Sequence, residues 1–416
     1  MADIKRSLFT HEMFLLCAVG LCITRDAIFK LEESEQVKKA ISQQLLRMTN
    51  RGEIVKGQLN DEEKKKRRRK STSNSDKACL DIKKDAYRLG TEGVEILKSS
   101  SPAIYDFYSK YAEQRHNCFD KDHLRPNKRA GDVVSIMYKA GIKIGPQKPS
   151  LMDIEKGICP PLNQEEKTFY LRREQKREEG QREDWLRSSR SCGMVITPNL
   201  TGLVYRIDSN DHSFSGSNEK KAAIRARNIV SRAYQTHKTY LLRDGLIIGD
   251  SYDDFLLFMK DTLTASSIHV KNVHDAVAKP SQLGGEKDHL NIRFIPFDYH
   301  GVTLLKILSS YSDDEIKRAV FSDKELLFDR SMRCDAYIES RNIECYEFLS
   351  SNMTKMESVK KRCQGKYENL GIVCFDFQKD FIKELFETET SSADKIHFRV
   401  FRYDMIKNDL EGFFNG

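Results

Sequence analysis

With 416 residues the chain is long enough for two or three domains, each with a sizeable core. Hydrophobic residues make up 39% and charged residues 32%, the balance of a soluble protein with solvated connecting segments rather than a membrane-embedded one. The ten cysteines are scattered singly with no C-x-x-C pair, which argues against a zinc ribbon, a thioredoxin-type site or a disulfide scaffold and suits reduced thiols in a cytoplasmic protein.

The net charge of +8 is unevenly spread. Residues 1–150 hold 30 Lys and Arg against 20 Asp and Glu, while the remainder holds 40 against 42. All of the positive excess therefore lies in the first part of the chain, as expected where a nucleic-acid-binding module sits there.

In chain order, the apolar run Met13–Ile23 follows Lys5 and Arg6 but is too short to span a bilayer. It is read as the first core helix, over Ser7 to Gly20. Thr24 suits the N-cap of a short helix to Leu31, and Ser34 that of a second helix over about Glu35 to Thr49. On the second helix Val37, Ile41, Leu45 and Met48 form a stripe at helical spacing and are predicted to be buried. Leu46 has no place in that pattern. Lys38, Lys39, Ser42, Gln43 and Arg47 are the candidate DNA contacts, all able to donate to phosphates or base edges. Gly52 ends the helix, and Glu53–Lys56 with Asp85–Leu89 read as the paired strands of a wing. The order predicts a winged helix-turn-helix over 1–116. Between the wing strands, an insert over 61–78 carries seven consecutive basic residues, Lys64, Lys65, Lys66, Arg67, Arg68, Arg69 and Lys70. A Ser-rich run follows, and together they predict a mobile loop lying along the phosphate backbone.

Thr91–Lys98 and Ala103–His116 read as backing helices, and Arg129–Ala140 as an amphipathic helix within a charged helical connector over 117–190. The connector's last part, 164–190, is so polar that a solvated helix is expected. From residue 191 short apolar runs alternate with amphipathic stretches, predicting an α/β sheet domain over 191–416. No internal repeat is visible. Phosphate-binding glycine loops, nucleophile elbows and zinc-protease motifs are absent, so no cofactor and no metal are assigned. "G-D-S-Y-D-D" from Gly249 reads as a capped helix start rather than a metal site.

One further constellation, Asp335–Lys355, combines a strand, a tight turn at Ser340–Asn342 and a second strand carrying Glu347. It resembles the catalytic hairpin of restriction-endonuclease-like folds, in which two carboxylates hold a divalent metal beside a lysine. Leu349 stands where that lysine belongs, and Lys355 lies beyond the strand. The expected result is a restriction-like domain without appreciable nuclease activity, with Leu349 turning an apolar surface to the acids. Together "L-L-R-M-T-N-R-G-E-I-V", "Y-R-L-G-T-E-G" and "C-D-A-Y-I-E…Y-E-F-L" resemble the replication-relaxation family of bacterial mobile-element proteins. The resemblance implies a DNA-binding accessory or regulatory protein of a plasmid or integrative conjugative element, acting in replication or mobilisation in the cytoplasm. Its partners would be double-stranded DNA, a relaxase or replication protein and a second copy of the chain. Two alternatives stand beside it: a metal-dependent nuclease using Asp335 and Glu347, and a transcriptional regulator with a C-terminal sensing domain.

Overall fold

The computed structural model describes residues 2–59, 61–68, 74–112, 119, 121–146, 167–174, 190–207, 244–255, 291–321, 334–363, 367–387 and 395–415. The architecture is mixed α and β, built on three sheets.

The first sheet is small. Helix α1 (Ala2–Gly20) buries Met13, Leu16, Cys17 and Val19 and leads through β1 (Ile23–Thr24) into α2 (Arg25–Lys30). Thr24 closes β1 and caps α2, its Oγ1 accepting from Ala27 N at 3.1 Å. Ser34 does the same for α3 (Glu35–Asn50), accepting from Val37 N. Gly52, at φ +72°, turns the chain into β2 (Ile54–Lys56). The returning strand β3 (Ala86–Leu89) lies between β1 and β2, antiparallel to both, with Ile54 opposite Leu89 and Ile23 opposite Tyr87.

Between β2 and β3 the expected loop is replaced by two helices, α4 (Asp61–Arg68) and α5 (Asn74–Asp85). The charge run is compatible with a helix because its acids come first and its bases last, the order that complements the helix dipole. Facing carboxylates then neutralise part of it, Arg67 meeting Asp81 at 2.6 Å and Lys66 meeting Asp76 at 3.4 Å, while Glu63 of α4 pairs with Lys83 of α5 at 2.7 Å.

Helices α6 (Thr91–Ser100) and α7 (Pro102–Ala112) back this unit, and α8 (Lys121–Lys139) packs across α1, β1 and α5. The last begins eight residues before the expected start and runs through Pro126. Its Val133, Val134, Ile136 and Met137 are fully buried, so a helix lying in the segment read as a connector is a core element. Gly131 permits the closest approach: a Cβ there would stand 2.0 Å from the Cys22 carbonyl oxygen.

The second sheet runs β4 (Thr168–Leu171), β5 (Gly193–Ile196), β6 (Thr201–Arg206), β7 (Asp244–Gly249), β8 (Asn291–Pro296) in spatial order. The first three strands are antiparallel and the last three parallel. Strand β4 corrects the expected solvated helix: Thr168–Leu171 is wholly buried because β5 pairs with it along its length. After β8 come α9 (Tyr299–Ser310) and α10 (Asp313–Val320), the latter started by a Ser312–Glu315 capping box.

The third sheet holds β9 (Ala336–Ile338), β10 (Ile343–Glu347), β11 (Leu370–Phe375) and β12 (His397–Phe401) in sequential order, with α11 (Met353–Arg362) and α12 (Lys379–Glu387) between its parallel strands. An antiparallel hairpin followed by two parallel additions is the plan of both β5–β8 and β9–β12. The correspondence lies in topology alone. The two sheets touch where β8 meets the turn after β10, with Arg293 bridged to Asn352 and Phe294 N donating to Ser351 O. Short helices α13 (Tyr403–Ile406) and α14 (Leu410–Asn415) follow. One apolar cluster runs from Met13 through Val133, Val204 and Leu304 to Ile406. Among the described residues no helix is long and apolar enough to cross a membrane.

Candidate functional site

Helix α3 meets the core through Ile41, Leu45 and Met48, joined by Gln44, whose amide donates to Thr10 Oγ1 of α1 at 2.8 Å. Val37 does not belong to this face. It is 40% exposed, in the first turn beside the Ser34 cap, before α3 reaches the core. The opposite stripe, Gln36, Lys39, Gln43, Leu46, Arg47 and Asn50, is exposed at helical spacing. Of the residues predicted from sequence, Lys39, Gln43 and Arg47 stand on it. Lys38 lies at its flank, paired to Glu35 at 2.7 Å, and Ser42 is half-buried, accepting from Arg25 at 3.3 Å. Leu46, without a role in the sequence pattern, is 63% exposed on this same face. Gln36, Leu46 and Asn50 were not among the residues predicted from sequence, although each stands three or four residues from a predicted member of this face, the spacing that could have found them.

On α4, Lys64, Lys65, Lys66, Arg67 and Arg68 are all exposed, and no residue of the helix is buried. Arg69 and Lys70 lie outside the described residues. So do 208–243 and 256–290 of the expected α/β sheet domain.

The Asp335 and Glu347 carboxylates do converge, and the cation between them is Lys355. Asp335 immediately precedes β9 and Glu347 ends β10. After β10 the chain turns through Ser350 and Ser351, the latter at φ +53°, and Asn352 caps α11 by accepting from Lys355 N at 3.0 Å. That turn carries Lys355 back over the strand end, where its Nζ pairs with Asp335 and reaches Glu347 Oε1 at 3.1 Å and Glu347 O at 3.0 Å. The expectation that Lys355 is too distant is therefore overturned. Leu349 is fully buried in the apolar core.

Every carboxylate oxygen of the pair is engaged. Glu347 Oε2 accepts from Ser350 N at 3.1 Å and Oε1 from Ser350 Oγ at 2.8 Å. Asp335 Oδ2 accepts from Glu347 N at 2.9 Å, and Lys317 stands 3.4 Å from Oδ1. Burial alone would lower the Lys355 pKa, but Glu347 and Asp335 outweigh it and hold the ammonium above its ordinary value. A second buried cation adjoins: Arg293 of β8 donates to Asp244 at 2.7 Å, to Asp313 at 2.9 Å and to Ser350 O at 3.0 Å. Burial pulls its pKa down too, and Asp313 and Asp244 reverse the sign. Among the described residues no group of three or more His, Cys, Asp or Glu is placed to hold a metal ion.

A third ionic network ties the first unit to the second sheet. Arg206, at the end of β6, donates to Asp132 of α8 at 3.0 Å and to Asp250 at 2.7 Å, and stacks on Phe297. Lys30 of α2 reaches Asp250 at 3.1 Å, and Glu33 meets Lys407 at 2.7 Å. The "G-D-S-Y-D-D" stretch is thus divided: Asp250 serves this network, while Ser251 Oγ accepts from Asp254 N at 3.0 Å as a helix cap. No family model, no curated protein and no solved structure matches the chain.

Proposed function

We propose that this chain is a non-catalytic DNA-binding protein that docks α3 in the major groove of a duplex. The observation that carries this is the uncovered stripe of α3. A solvent-facing helix side bearing Gln43, Arg47 and Asn50 offers the donors and acceptors that pair bidentately with adenine and guanine edges, and Leu46 among them suits a thymine methyl. The order α1, β1, α2, α3, β2, β3 with β3 central is that of a winged helix and supports the same reading. The charge excess of residues 1–150 adds the electrostatic attraction such docking needs. The resemblance to replication-relaxation proteins makes plasmid replication or mobilisation the setting, with a relaxase or replication protein as partner.

The test is selection of duplexes from a random pool by the full chain. Replacing Gln43 or Arg47 by Ala should then cost about 1–3 kcal/mol on the selected sequence for each true base contact. A pool from which no sequence emerges would refute base reading by α3.

A second reading, metal-dependent cleavage of DNA, is favoured by the meeting of Asp335, Glu347 and Lys355. The arrangement weighs against it as it stands, because a divalent ion would have to displace Lys355 to reach the acids. Incubation with supercoiled, linear and single-stranded DNA in Mg²⁺ or Mn²⁺ should give no cleavage. Cleavage lost in both Glu347→Ala and Lys355→Ala would promote the nuclease reading.

A further inference from the structure

We infer that the cleft between the segment following β2 and helix α4 seats a phosphodiester group of the DNA backbone. The inference rests on the DNA reading of α3 and specifies how the duplex is held.

The cleft, of about 470 Å³, is walled by Lys56 at the end of β2, by Lys64, Arg67 and Arg68 of α4 and by Lys84 of α5, with 57–59 as its floor. No Asp or Glu is among the described residues that line it. Its walls are held from several sides. Gly57 N donates to Ala86 O at 2.9 Å, which pins the floor to β3. The pairs Glu63–Lys83 and Arg67–Asp81 lock α4 onto α5. Lys56 extends over the Tyr87 ring. Three wall cations spend charge on neighbours, Lys64 on Asp61, Arg67 on Asp81 and Lys56 on Asp85, so Arg68 and Lys84 leave a positive excess at a concave surface. Five cations around a hollow suit an anion small enough to enter it, and a phosphate meets that requirement while keeping its two esters outside.

Position selects the nucleic-acid source. Lys56 follows Asn50, the last residue of α3, by six residues, at most about 20 Å of extended chain. The major groove is about 12 Å wide, so the strands flanking a helix docked in it lie within the same range. A duplex read by α3 therefore has a flanking backbone within range of the cleft. In place of a mobile basic finger sampling the phosphates, the insert offers one built seat.

The experiment measures binding of the full chain to a mixed-sequence duplex over a salt series. Arg68→Ala/Lys84→Ala, both at exposed positions, should make the slope of log K against log salt shallower by about 0.9, the change expected when one phosphate contact is lost. Arg68→Lys/Lys84→Arg, which keeps the charges, should retain the slope, and Lys65→Ala, an exposed cation of α4 outside the cleft, should change it less. An effect of Lys65→Ala equal to that of Arg68→Ala/Lys84→Ala would overturn the seat in favour of a diffuse charge cloud. A shallower slope in the cleft variant, combined with unchanged sequence selectivity in Gln43→Ala/Arg47→Ala, would keep the seat and refute α3 as reader. Binding of an acidic peptide with no duplex binding would overturn both.

Discussion

Replacing Lys355 by Met should loosen the third sheet by an amount that the surrounding groups set. The substitution removes one half-buried ammonium from between two buried carboxylates. Stranding a buried charge typically costs about 3–5 kcal/mol. Here the two acids differ in what remains. Asp335 keeps Lys317 at 3.4 Å and the Glu347 amide, whereas Glu347, at 1% exposure, keeps only Ser350 N and Oγ. One acid retains a cation and the other only neutral donors, which places the loss near the lower end, about 3 kcal/mol.

Hydrogen exchange reads this locally. Amides of the β10–β11 ladder, with Phe348 N on Val373 O at 2.7 Å as the marker, should lose about a hundred-fold protection at neutral pH. The double variant Lys355→Met/Glu347→Gln, which removes both charges and keeps the Ser350 contacts, should exchange more slowly than the single one. The wild type carries a pH dependence of its own. The raised Lys355 pKa means its contribution is complete below the ordinary value of 10.5 and is lost as pH climbs through the higher folded-state value. Protection unchanged in Lys355→Met, or lost equally at all pH, would refute a charge-compensating role.

Gly131→Ala should destabilise the first unit by about 1–3 kcal/mol, because α8 must retreat from the Cys22 carbonyl; an unaltered thermal unfolding midpoint would contradict the close packing. Burial pushes the Asp250 carboxyl up, but Arg206 and Lys30 outweigh it and hold it below its ordinary 3.8. The stability it supplies is present above pH 3.8 and lost as pH falls through its folded-state value, so α2 amides should lose protection in acid, and in Asp250→Asn already at neutral pH. Protection of α2 that is the same in both proteins would show that the network does not hold the helix. Thr24→Ala removes the bond to Ala27 N and should cost about 1 kcal/mol, read as a lowered unfolding midpoint.

Much of the local structure was legible because its causes are local. Thr24 and Ser34 satisfy the first amides of the helices they precede, and Gly52 supplies the left-handed turn, whatever else the chain does. Short apolar runs such as 245–249 and Leu370–Phe375 announce strands by composition and length, and they are apolar throughout because parallel strands are covered on both faces. On α3, the alternation that buries Ile41, Leu45 and Met48 also told which side is open.

What only the tertiary structure decided depends on partners remote in sequence. Thr168–Leu171 is four residues in a charged stretch, and it becomes a strand because Gly193–Ile196 lies against it. The basic run became a helix facing α5, where Asp76 and Asp81 take up part of its charge. Lys355 stands eight residues past Glu347, and chain distance alone put it out of reach. The turn at Ser351 reverses the chain so that α11 returns over the end of β10, and that reversal brings the ammonium between the two acids. Spacing reports which groups share a helix face or a strand face; which groups meet across elements is set by the path of the backbone between them.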